Sequence, residues 1–101
     1  MSSITVAELD KSIKSEHAPT IYDVRKKPAF DSDPKMIADA TWQVHDQVDG
    51  WISDVPQGKQ VVVYCVHGHA VSQNAAKVLC DKGIDAVYLE GGIAEWNQVN
   101  G

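Results

Sequence analysis

The chain has 101 residues, 44% of them hydrophobic and 23% charged, with a formal net charge of −5. That length builds one core, so a single domain over residues 1–101 is expected. An acidic balance without a basic stripe argues against nucleic acid or an anionic membrane as partner.

The opening residues lack the apolar core of a signal peptide, and no transmembrane-length apolar run follows. Two cysteines in such a chain suggest a reducing compartment, and the expected location is the cytoplasm.

Thr5-Val6-Ala7-Glu8 fits a capping box, with Ile4 and Leu9 placed as a hydrophobic staple. Val6, Leu9 and Ile13 form the inward stripe of a first helix that ends before Pro19, and Ile4 suits a minimal edge strand. Thr20 to Val24 reads as a buried strand with Asp23 near its C-terminal end and Arg25 just beyond. Asp23 and Arg25 suit either a structural ion pair or a part in shaping an active loop.

Residues 26–41 form a loop with one helical turn after Pro28, and Arg25-Lys26-Lys27 is either a solvated turn or part of a site. Trp42 marks a short strand. Asp46 is placed to cap a helix whose face is Val48, Trp51, Ile52 and Val55. Pro56 and Gly58 turn the chain into a central strand at Gln60–Cys65.

A tight loop follows, and then Val71, Ala75, Val78 and Leu79 recur at helical spacing over residues 71–82, with Gly83 as the stop. Cys80 is expected as a small core residue of that helix. Ala86 to Leu89 is the last strand, and Glu90-Gly91-Gly92 turns into a short helix with Ile93 and Trp96. Strands alternating with helices imply a mainly parallel sheet covered on both faces.

The chemistry concentrates in Cys65-Val66-His67-Gly68-His69-Ala70, a loop between a buried strand and a helix start. Ligands in α/β folds bind at such strand ends. An ordinary thiol is mostly neutral at pH 7 and must be activated to attack. Backbone N–H groups curled around the sulfur, the positive end of the following helix, and a protonated His67 or His69 would each favour a thiolate. Gly68 suits a positive φ or a close backbone approach.

Those features fit an anionic sulfur or a bound oxyanion without selecting a reaction. A cysteine–histidine pair and a Cys65, His67, His69 metal site are the other possibilities, but residues on a tight loop point apart and a fourth ligand is lacking. His17 and His45 read as surface residues, and Cys65 and Cys80 lie too far apart along the helix to bridge.

Taken together, the Tyr22-Asp23-Val24-Arg25 strand end, the strand into Cys65 with its C-x-x-G loop, the following helix and Leu89-Glu90-Gly91-Gly92-Ile93-Ala94-Glu95-Trp96 resemble a single-domain rhodanese. The resemblance covers nearly the whole chain. It implies an α/β, three-layer fold with a five-stranded mainly parallel sheet and helices on both faces. It also implies a sulfurtransferase, in which Cys65 takes a sulfane sulfur from a donor, becomes a persulfide and passes the sulfur to cyanide, a thiol or a protein. Val66, His67, Gly68, His69, Ala70 and Arg25 are then the substrate-binding residues. No cofactor and no metal is implied, and a monomer is expected.

One departure is informative. Family members with C-x-x-G-x-R place an arginine where this chain has Ala70, and phosphatases of the same architecture, with C-x5-R, place theirs at Val71. Without that guanidinium the chain is expected to use thiosulfate weakly and a persulfide better, unless Arg25, Lys26, His67 or His69 compensates. The alternative is a catalytically weak rhodanese-like module that binds a partner.

Overall fold

The computed structural model describes residues 2–100, so Met1 and Gly101, the ends of the expected domain, lie outside the described residues. Five strands, β1 (Ser2–Ile4), β2 (Thr20–Asp23), β3 (Thr41–Trp42), β4 (Val61–Tyr64) and β5 (Ala86–Leu89), form one sheet in the order β1-β5-β4-β2-β3. Every pairing is parallel.

Side chains alternate across the sheet, as a two-residue strand period requires. From β4, Val61 and Val63 join Tyr22, Trp51, Ala75 and Leu79 on one face, while Val62 and Tyr64 join Ile4, Leu9, Ile21, Leu89 and Ile93 on the other. The first face is covered by α3 (Val48–Trp51) and α4 (Ala70–Asp81), the second by α1 (Val6–Ile13) and α5 (Gly92–Asn100). Burial of each β4 valine contributes on the order of 1.5–3 kcal/mol. The three-layer α/β arrangement expected from the sequence is the one observed.

Local signals held where one residue type governs geometry. Thr5 caps α1 with the reciprocal Glu8 bonds of a capping box. Gly83 and Ile84 donate back to Cys80 and Leu79, each at 3.0 Å, and close α4 as expected of a glycine stop.

Three local expectations needed correction. Asp46 caps nothing: Gln47 precedes α3, without a side-chain cap, and the helix gives way to a 3-10 turn at Ile52–Asp54. Gly50 inside this short segment weakens its helical preference. The helical turn near Pro28 is α2 (Lys27–Ser32), which begins one residue before the proline. Cys80 is exposed, because the buried stripe of α4 is Ser72, Ala75, Ala76 and Leu79, and Val78 is likewise 37% exposed.

The topology fixes where a site can form. From β2 the chain moves outward to β3, and from the adjacent β4 it moves the opposite way to β5. Crevices open at such switch points beyond the C-terminal ends of the strands. Asp23 pairs with Tyr64 in register, so Val24 and Cys65 leave the sheet side by side, with Arg25 one residue further on.

Candidate active site

Cys65 follows β4 directly, is 6% exposed and lines a cavity of about 320 Å³. Arg25, Lys26, Ala29, Val66, His67, His69, Ala70 and Val71 complete the lining. Gly68 lies beneath, buried against the backbone of the β5–α5 turn. The expected loop residues are therefore brought together, with His67 and His69 exposed at the mouth.

The loop between Cys65 and α4 is held from below. Ile93 N–H donates to the Cys65 carbonyl and Ala94 N–H to that of Val66, both at 3.0 Å. Gly92 sits so close that a Cβ there would lie 2.4 Å from both carbonyl oxygens. Gly68, at φ 75°, would bring a Cβ within 2.6 Å of the Leu89 carbonyl oxygen. Side chains cannot be fitted at these two positions without moving the loop. The Gly-Gly turn after β5 is thus a backbone clamp on the cysteine loop.

Clamping by carbonyls leaves the amides free. Among the described residues, the N–H groups of Val66 through Ser72 have no backbone carbonyl acceptor outside regular helix bonds, and the first such donor is Gln73, to His69. The Gln73 amide also donates to the Gly68 carbonyl at 3.0 Å. Consecutive unfilled N–H groups in a curled loop at a helix start suit an anion.

Cys65 Sγ has a partner that the sequence reading missed. Ser72 Oγ lies 3.1 Å away, hydrogen bonded to the sulfur and fully buried. A thiol donates to this hydroxyl, and a thiolate accepts from it. The signal was available: Ser72 is the polar residue on the otherwise apolar inner stripe of α4. Neither histidine is bonded to the sulfur among the described residues, and the two rings stand 6.1 Å apart. No group of three or more His, Cys, Asp or Glu among the described residues is placed to hold a metal ion.

Arg25 borders the cavity, yet its guanidinium is occupied. Nε and Nη2 donate to the Asp23 carboxylate, the closest contact being 2.7 Å, while Nη1 and Nη2 reach the carbonyls of Asp33 and Lys35. Both side chains of the pair are nearly inaccessible, at 3% and 0%. Tyr64 OH donates to the same carboxylate and accepts from Ile37 N–H. Burial works against the Arg25 charge, but Asp23 outweighs it and holds the pKa above its ordinary value. Burial, then the Asp23 charge, push the Tyr64 phenol up. This network pins residues 33–37 to the strand ends, and the Arg25 carbonyl accepts from Trp42 Nε1.

The chain matches known proteins along its length. The family model described as Rhodanese-like domain covers residues 5–99. Thiosulfate sulfurtransferase GlpE of Shewanella oneidensis is 43% identical over 51 residues, which is 50% of this chain and 50% of that protein. The match thus spans about half of that curated relative. A rhodanese-related protein from Thermoplasma volcanium superposes with a TM-score of 0.84 at 29% identity, covering 99% of this chain and 94% of that one. A rhodanese-like domain protein from Staphylococcus aureus gives 0.82 at 27% identity, covering 95% and 91%. With the parallel sheet, the clamped cysteine loop and the matched residues in agreement, this chain belongs to the rhodanese-like domain family.

Proposed function

We propose that the protein is a sulfurtransferase that carries sulfur as a Cys65 persulfide, with a small persulfide as the better donor. The observation that carries this reading is a nearly buried thiol opening on a cavity, beside a run of amides without backbone acceptors.

The Cys65 thiolate attacks the outer sulfur of the donor. A new S–S bond forms as the donor's own S–S bond breaks, and the electron pair leaves with a thiolate, or with sulfite when thiosulfate is the donor. The added sulfur, held as an anion at neutral pH, sits among the amides of Val66 to Ala70. A thiol, cyanide or protein acceptor then attacks that outer sulfur, and Cys65 departs as thiolate. Electrons balance without an external oxidant.

His67 and His69 shape the mouth, and Ser72 steadies the sulfur. Arg25 serves by holding the cavity wall in place, since its donors are already engaged.

The donor preference rests on Ala70 and Val71, which supply no charged donor for an oxyanion. A fixed guanidinium would add contacts of about 1.5–3 kcal/mol each. The name of the Shewanella relative favours thiosulfate instead, so the two donors must be compared directly.

Treatment with a small persulfide should add one cyanide-labile sulfur atom to the intact mass. Cys65→Ser should gain none. A markedly faster reaction with thiosulfate would overturn the donor preference. A wild-type protein that retains no sulfur from either donor would leave the partner-binding module as the reading.

A further inference from the structure

The wall of the active cavity is charged in one sense only. Its charged or titratable side chains besides Cys65 are Arg25, Lys26, His67 and His69, with no carboxylate among them. The chain as a whole carries −5, so this mouth is a cationic spot on an acidic body. Local fields of this kind concentrate anionic ligands where the bulk charge would repel them.

Of the two permanent cations, Arg25 is spent on Asp23 and on the 33–37 backbone. Lys26 is different. It is exposed, it lines the cavity, and among the described residues no ion pair or hydrogen bond holds its ammonium. The next lysine, Lys27, is tied to Asp31 at 2.6 Å. The remaining wall, Ala29, Ala70 and Val71, is apolar and offers no charge.

We infer that Lys26 binds the anionic group of the incoming sulfur donor, and that persulfide donors bearing a carboxylate are selected over neutral ones. The assignment rests on the sulfurtransferase reading and deepens it. A lysine ammonium is a hydrated point charge on a flexible stem and lacks the two-pronged geometry of a guanidinium. It would therefore accept a carboxylate at variable distance from the reacting sulfur, which suits a family of acidic small thiols more than one rigid oxyanion. The contact lies at a solvated rim, where one such pair is modest and screened by salt.

The test compares glutathione persulfide, which carries two carboxylates, with its neutralised diester, loading wild type, Lys26→Ala, Lys26→Arg and Lys26→Glu. For the acidic donor, Lys26→Ala should raise KM by about threefold to tenfold with little change in kcat. Lys26→Glu should raise it further, Lys26→Arg should restore most of it, and added salt should erase the difference. The diester should distinguish these variants far less.

Equal effects on both donors, or none on either, would overturn the assignment while the sulfur reaction stands. A second measurement uses protein that cannot react: Cys65→Ser titrated with S-methylglutathione, with and without Lys26→Ala. Weaker binding in the double variant supports the assignment, and indifference overturns it, even if wild type takes up no sulfur and the sulfurtransferase reading itself fails.

Discussion

Two anions, or one anion and one group able to become an anion, leave the sheet at adjacent strand ends. Asp23 closes β2 and Cys65 follows β4, one residue beyond the Asp23–Tyr64 register pair. Around Asp23 the donors are supplied in full: Arg25 Nε and Nη2, the Arg25 N–H and the Tyr64 hydroxyl all converge on the carboxylate. Around Cys65 one hydroxyl is in place, and the loop amides have no backbone acceptors. A charge that is saturated by its surroundings builds structure. A thiol beside a cavity and amides without backbone acceptors is left open to a ligand.

Removing each partner should separate these roles. The largest effect is expected at the saturated end. Asp23→Ala leaves the Arg25 guanidinium buried and unpaired, a loss of about 3–5 kcal/mol. For a chain of this size that lowers Tm by roughly 15–30 °C, readable by calorimetry. A variant that kept its Tm and lost only sulfur loading would break the comparison, because Asp23 would then belong to the chemistry.

Tyr64→Phe removes a donor to Asp23 and leaves the Ile37 N–H without its acceptor, at about 1–3 kcal/mol. It should also change the pH profile of stability. The folded state holds the phenol pKa above the unfolded value, so this contribution is complete below about pH 10 and is lost as pH climbs toward the folded pKa. Denaturant titrations should show the wild type losing stability above pH 10 and the variant losing less, with Tyr22, also raised, keeping part of the slope. Identical alkaline slopes would remove Tyr64 from the network's energetics.

The smallest effect belongs to the waiting end. Ser72→Ala should slow alkylation of Cys65 at fixed pH by about threefold to tenfold, no more than about 1.5 kcal/mol, with stability little altered. A large stability loss with unchanged reactivity would make Ser72 a packing residue instead.

The architecture was legible because strand and helix periods, the Thr5 capping box and the Gly83 stop depend on neighbours in sequence. The cysteine loop that lines the cavity was legible for a similar reason, since a glycine loop between a β-branched strand and a helix is a local pattern. Ser72 escaped because helix α4 starts at Ala70 and its inner stripe is rotated from the one read from valines. The same rotation exposed Cys80. Arg25 was legible as the ion-pair partner of Asp23 or as a substrate-binding residue; that its remaining donors are taken was not, because the carbonyls of Asp33 and Lys35 that occupy them come from a loop without periodicity.

The clamp on the cysteine loop has a consequence for the order in which the molecule is made. Synthesis delivers Cys65 well before Gly92, Ile93 and Ala94, the residues that hold its loop. The first strand waits as well, because β1 sits at the sheet edge beside β5. A nascent chain can therefore pair β2 with β4 early, but its thiol stays on an unclamped loop until Gly92 to Ala94 leave the ribosome. The setting of Cys65 is complete only once Gly92 to Ala94, made some thirty residues later, have docked beneath its loop.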